Sequence, residues 1–209
     1  MRILMFNYEF PPVGGGGGWV TYFLGKHFAE AGHEVRLITA QFRGLPKEEM
    51  IEGFHVHRVP ALRKSKDVCG VHEMLTYAIS SSVYGFRCAK RFQPDIVQVF
   101  FGIPSGGGAY LLKKICGIPY IVFLGGRDVP RPNPDPPSYR WLYGILAPAI
   151  RGIWRNAAAV VACSDGLRTL ALRTDSQTRF RVIPDGIDLS RFSPVPREAR
   201  PERVRILTI

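Results

Sequence analysis

Arg2-Ile3-Leu4-Met5-Phe6-Asn7, then Tyr8-Glu9-Phe10-Pro11-Pro12-Val13, then Gly14-Gly15-Gly16-Gly17-Gly18: this stretch decides the fold. The apolar run cut off by prolines reads as a strand buried on both faces. Behind the glycines, residues 19–31 set Val20, Phe23, Leu24 and Phe28 on one helical face, and Gly32 follows as a C-terminal stop. Strand, glycine-rich corner and helix open a doubly wound α/β domain, whose ligands sit at the carboxyl ends of the strands.

The alternation continues outward from there. Strands are expected at 34–40, 54–59, 95–101, 118–124, 157–163 and 179–183. Helices are expected at 71–92, 108–116, 139–156 and 166–173, the third kinked at Pro148. Near-continuous apolar strands separated by helices predict a parallel sheet with helices on both faces, a Rossmann-like domain over residues 1–190. Residues 191–203 read as a proline-rich linker. Residues 204–209 read as one further strand, and Arg205-Ile206-Leu207 echoes Arg2-Ile3-Leu4. That strand begins a second α/β domain missing from the sequence, or else joins the edge of the first sheet.

Composition narrows the class. The chain has 209 residues, 46% hydrophobic and 22% charged, which fits a packed domain and excludes a disordered one. No apolar run approaches the ~20 residues of a membrane span, and Met1 leads straight into the first strand, so no cleavable leader is expected. The net charge of +11 favours anionic partners. The excess lies in the second half, where residues 101–209 hold 16 basic and 8 acidic side chains. No helix-turn-helix, RRM, KH or finger signature accompanies it, so nucleic acid is not an expected partner. Cys69, Cys88, Cys116 and Cys163 form no C-x-x-C pair and read as small buried thiols of a reducing cytosol. The five histidines read as surface or satisfied core residues, although His55 and His57 share one strand face.

Two corners carry candidate chemistry. Gly14, Gly15, Gly16, Gly17 and Gly18 let a ligand approach the backbone, and free N–H groups at a helix start favour an anion. The alternative is a plain connector. Thr39-Ala40-Gln41 ends the second strand where a dinucleotide site needs an acidic residue, and no Gly-Lys-Ser/Thr follows the glycines. NAD binding and a Walker A loop are therefore both disfavoured. Pro104-Ser105-Gly106-Gly107-Gly108 forms a second corner of the same kind, open to ligand contact or to close helix packing. Arg127 and Asp128 end the fifth major strand, where a guanidinium can meet a phosphate and a carboxylate a sugar hydroxyl. Residues 130–137 contain five prolines and read as a loop near the site entrance. Residues 140–155, with Trp141, Tyr143, Trp154 and arginines, fit an anionic membrane surface or a core helix with a solvated edge.

Taken in order, these pieces resemble the N-terminal, acceptor-side domain of a GT-B glycosyltransferase of family 4, also called glycosyltransferase group 1. The resemblance spans the chain. It rests on Pro11-Pro12 with the glycine run, Ala31-Gly32-His33-Glu34-Val35, Pro94-Asp95-Ile96-Val97, Ile103-Pro104-Ser105-Gly106, Gly117-Ile118-Pro119-Tyr120 and Val161-Ala162-Cys163-Ser164. The most specific piece is Val182-Ile183-Pro184-Asp185-Gly186-Ile187-Asp188-Leu189. The resemblance implies two Rossmann-like domains facing across a cleft, with most of the nucleotide diphosphate sugar held by the C-terminal one. It implies transfer to a hydroxyl acceptor with retention, without metal or cofactor. It implies that Gly14–Gly18 lie against the donor's sugar or diphosphate, that Arg127, Asp128, Gly106 and Gly107 meet acceptor or sugar, and that Asp185 and Gly186 border the cleft. Gly186 is expected at positive φ. No general base is assigned. The expected location is the cytoplasm, with the inner membrane face as a peripheral contact. Gln98, Phe100, Gly125 and Asp185 depart from residues common in that family, which points to a different acceptor. A GT-B epimerase or phosphorylase, or a non-catalytic phosphate- or lipid-binding module, is the competing reading.

Overall fold

A computed structural model describes residues 1–126, 129 and 137–187, the side chains of 137–140 excepted. Arg127, Asp128, most of the proline loop, the linker and strand 204–209 lie outside the described residues.

Eight strands form one sheet in the order β3-β4-β2-β1-β5-β6-β7-β8. They are β1 (Arg2–Phe6), β2 (Glu34–Ala40), β3 (Glu48–Ile51), β4 (Phe54–Val59), β5 (Ile96–Phe100), β6 (Tyr120–Leu124), β7 (Ala159–Ala162) and β8 (Phe180–Val182). The helices are α1 (Gly16–Glu30), α2 (Val71–Phe92), α3 (Gly106–Cys116), α4 (Pro137–Asn156) and α5 (Asp165–Thr174). All pairings are parallel except β3 with β4. That antiparallel edge strand is not expected from the sequence. Its Glu48-Glu49-Met50-Ile51 has no apolar run, and a tight turn makes the hairpin, with Glu52 and Gly53 at φ 47° and 83°.

The core is the sheet's two faces. Leu4, Met5, Phe6, Leu37, Val97, Val99 and Val122 are fully buried, as continuous apolar strands require. Helices cover both faces. On β4 the Phe54 ring fills the space above Gly25 of α1, while His57, of opposite parity, stacks on Tyr84 of α2 with centroids 3.6 Å apart. Burial keeps the His57 imidazole below its usual pKa despite the Glu48 carboxylate 2.8 Å away. Helix α3 packs on α2 and α4. Helix α4 continues through Pro148. Its Trp154 is a core residue at 1% exposure, while Trp141 is 70% exposed. Of the four thiols only Cys88 is buried, and Cys116 stands exposed on the outer end of α3. No described helix is long and apolar enough to cross a membrane.

The chain runs from β1 outward through β2 to β4 and β3, then returns to β5, on β1's other side. The connections reverse direction between β1 and β5, so the crevice of this sheet lies at their carboxyl ends. Both glycine-rich corners open there.

Candidate functional site

The first corner is held by side chains that the sequence reading passed over. Asn7 is fully buried and donates from Nδ2 to the Gly17 carbonyl (3.1 Å) and Thr21 Oγ1 (2.6 Å). Its Oδ1 accepts from the Glu9 N–H at 3.0 Å. The Glu9 carboxylate accepts from the Gly15 N–H at 3.2 Å. Arg63 is only 5% exposed and reaches across from the β4–α2 connection. It donates to the carbonyls of Tyr8, Ser65 and Lys66, each at 3.0 Å, and the Gly14 N–H shares the Lys66 carbonyl at 2.8 Å. One buried guanidinium thus ties two loops together. A basic residue just past a strand, amid polar neighbours, gave no periodic signal to find it by.

Helix α1 begins at Gly16, three residues earlier than its apolar pattern suggests. Glycines cost a helix about 1 kcal/mol each, and one of these three is required by packing. A Cβ on Gly17 would stand 2.6 Å from the Phe101 ring, whereas one on Gly18 would meet the Phe10 backbone at an ordinary contact distance of 3.4 Å. Gly14 is needed for its φ of +91° and because Glu9 sits 2.5 Å from its missing Cβ. Gly15 and Gly16 face open space, with nothing within 4 Å. Gly16 lies at ordinary helical φ, so its freedom from side-chain bulk matters rather than its backbone range. The N–H groups of Gly16 and Gly17 have no acceptor among the described residues. They lie at the positive end of the α1 dipole, in the corner that follows β1.

The second corner is built differently. Phe101, at φ 68°, turns its ring into the slot between Gly17 and Gly125, whose Cβ position lies 2.6 Å from that ring. It packs on Tyr8 with centroids 5.3 Å apart, which links the β1, β5 and β6 corners through one aromatic wedge. Gly106 opens α3 but is buried, its Cβ position 2.8 Å from Ile153 of α4. Gly108 faces Ser82 of α2 at 3.0 Å. Of the two named here as ligand contacts, Gly106 has its Cβ position filled by Ile153, and Gly107 has nothing within 4 Å of its own.

Asp185 and Gly186 follow edge strand β8 and are exposed. Gly186 does not take a positive φ, which corrects that expectation. Asp188 lies outside the described residues, as do Arg127 and Asp128. Gln41 serves its own loop, donating to the carbonyls of Phe42 (3.1 Å) and Leu45 (2.8 Å).

The comparisons with known proteins agree with this architecture. A family model described as "Glycosyl transferase 4-like domain" matches residues 15–186. The chain is 32% identical over 129 residues to the N-acetyl-alpha-D-glucosaminyl L-malate synthase of Bacillus anthracis, covering 60% of this chain and 32% of that protein. Sucrose-phosphate synthase from Thermosynechococcus elongatus superposes with a TM-score of 0.71 at 17% identity, over 93% of this chain and 50% of that one. WaaG, a glycosyltransferase involved in lipopolysaccharide biosynthesis, gives 0.61 at 19% identity, over 93% and 48%. The matched region is thus a third of the curated relative and half of each solved structure.

Proposed function

Since the chain belongs to the glycosyl transferase 4-like family, with the fold of GT-B glycosyltransferases, we propose that it is the acceptor-side half of an enzyme moving a sugar from a nucleotide diphosphate to a hydroxyl acceptor with retention. The observation that carries this is the pair of unengaged N–H groups of Gly16 and Gly17, at a helix start, beside open space in the switch crevice. Glycosyl transfer passes through an oxocarbenium-like state while negative charge grows on the leaving diphosphate. Positioning and fixed dipoles aimed at that charge supply the catalysis. Glu9 holds Gly15 in place, so the two amides need no rearrangement. In this reading a second Rossmann-like domain faces the corner and binds most of the donor, and Arg127, Asp128 and Gly107 meet the sugar or acceptor. Sugar nucleotide should bind this half alone only weakly, near millimolar, because a few backbone contacts are worth about 0.5–1.5 kcal/mol each. The test is product analysis of the two-domain enzyme with sugar nucleotide and mixed acceptors. A glycoside of unchanged anomeric configuration is expected. An inverted one removes retention, and epimerised sugar nucleotide without transfer favours the epimerase reading.

A peripheral contact with an acidic membrane belongs to the same proposal, and α2 supports it better than α4. Val71, Leu75, Ile79 and Val83 are 49–60% exposed at successive i,i+4 positions. His72, Arg87 and Lys90 lie exposed on the same helix, whose single carboxylate, Glu73, is buried. An apolar stripe with basic flanks suits an anionic interface. Co-sedimentation with anionic but not neutral vesicles is expected. Equal recovery with both, or with neither, removes the contact.

A further inference from the structure

Beyond the carboxyl ends of β2 and β4 lies an open groove of about 560 Å3, the size of a small-molecule site. Gln41, Arg43, Leu62, Arg63, Lys64 and His72 line it. Its charge is lopsided. Arg43 and Lys64 are exposed, and neither has a carboxylate within ion-pair distance among the described residues. The nearby carboxylate, Glu73, is 4% exposed and committed to the N–H groups of Gly70 (2.7 Å) and Lys64 (3.0 Å). It stands 3.9 Å from His72 Nε2. Arg63 is the fixed part of the wall, its donors held by three carbonyls. Phe42, Ala61 and Leu62 add an apolar side.

The groove adjoins the first corner. Arg63 donates to Tyr8, and the Gly14 N–H to Lys66, so the loop that floors the groove is bonded to the loop that carries the glycines. The groove therefore borders the loop that carries Gly16 and Gly17, one strand over from the crevice. We propose that the acceptor carries a carboxylate or phosphate remote from its reacting hydroxyl, and that Arg43, Lys64 and His72 hold that anion in this groove. The inference rests on the transferase reading above and names its acceptor class. Arg43 and Lys64 are binding residues here, not catalytic ones. Guanidinium and ammonium donors suit either anion, and the groove's apolar side suits a short carbon skeleton.

The test is an NMR titration of the full 209-residue chain, read at the amides of Gly44 and Gly70, with L-malate, glucose 6-phosphate, glucose and sulfate. Saturable shifts with malate or with glucose 6-phosphate are expected, and the arm that saturates identifies carboxylate or phosphate. The Arg43→Gln and Lys64→Gln exchanges, at exposed positions, should each weaken that binding roughly tenfold, one charge-assisted contact apiece. Glucose or sulfate binding as well as either organic anion, binding unchanged in the two variants, or no saturation with any probe overturns the proposal. UDP-glucose added to the same sample reports separately at Gly16 and Gly17. Shifts there with none at Gly44 and Gly70 sink the anionic groove and spare the transferase. The converse pattern keeps the groove as an anion site and removes support for the transferase.

Discussion

The β1–α1 and β5–α3 corners look alike as sequence, each a proline, a run of glycines and a helix, yet they are fixed by opposite means. The first is laced by polar groups: Asn7, Glu9 and, from another loop, Arg63. The second is wedged by hydrophobic bulk, with Ile153 against Gly106 and Phe101 turned into the Gly17–Gly125 slot. Lacing leaves Gly15 and Gly16 facing empty space, whereas wedging fills most of the glycines' missing side chains. A glycine run therefore leaves its backbone open only where something other than packing against the glycines holds it.

The strongest way to break that contrast is to cut the lacing. In Arg63→Met the carbonyls of Tyr8, Ser65 and Lys66 lose a buried charged donor, at a cost of about 3 kcal/mol or more. A fall in Tm of roughly 6–12 °C is expected for a domain of this size. Amide exchange should rise first at Gly14 and Gly15. A Tm within a degree of the parent would mean the loops hold themselves.

Gly16→Val probes what the lacing serves. The site of its Cβ is empty and its φ is helical, so melting should hardly change. A branched side chain there screens the N–H groups of Gly16 and Gly17. Loss of one such donor at a developing oxyanion is worth about 3 kcal/mol, or ~100-fold in kcat of the two-domain enzyme. Parent-like turnover would reduce the open glycines to a connector.

Gly17→Ala and Gly106→Ala test the wedge. Each Cβ would arrive 2.6–2.8 Å from a packed side chain, the Phe101 ring or Ile153. Overpacking of this kind costs about 1–3 kcal/mol, partly offset by the gain of about 1 kcal/mol in helix propensity. Net losses of up to about 2 kcal/mol in urea unfolding should result, against none for Gly16→Ala at its open site. Equal stability of all three would erase the distinction between filled and open positions.

Acid should loosen the lacing before the wedge. Glu73, whose carboxylate pins the β4–α2 loop, has its pKa lowered, chiefly by the Gly70 N–H. A depressed carboxylate contributes stability that is full above its unfolded pKa, near 4.3, and is lost as pH falls through the folded value. Exchange at Gly70 should therefore accelerate below about pH 4.3, and Glu73→Gln should flatten that dependence. An unaltered acid limb in Glu73→Gln would assign the loop's hold to Arg63 alone.

Most of the fold was legible because parallel strands buried on both faces are near-continuously apolar, as at Ile3–Phe6 and, Gln98 excepted, Val97–Phe100. Strand β3 was not, since an edge hairpin needs only backbone pairing and the turn at Glu52-Gly53. The site was legible in its place but not in its parts. The glycines marked the corner, whereas their sorting depends on Phe101, Ile153 and Glu9, contacts between elements that no local pattern encodes. Asn7 read as the end of a strand, and no motif or periodicity singled out Arg63. The start of α1 was set late because apolar periodicity begins at Trp19, while the first turn is fixed by what fits above Phe101 and Phe10.

The smallest expected effect falls on the one open glycine of the wedged corner. Gly107 sits in the first turn of α3 at ordinary φ, and its Cβ would meet nothing within 4 Å. Alanine there removes conformational freedom from the unfolded chain at no steric cost, so stability should rise by about 0.5–1 kcal/mol. Its neighbours Gly106 and Gly108, facing Ile153 and Ser82, should not show that gain. The same methyl group separates two roles. If Gly107 meets acceptor or sugar, the variant melts higher but shows a raised KM for the acceptor, because the methyl occupies the approach. A variant that is more stable with an unchanged KM would confine ligand contact to the laced corner. The glycines of α3 would then be read as helix packing with one idle position.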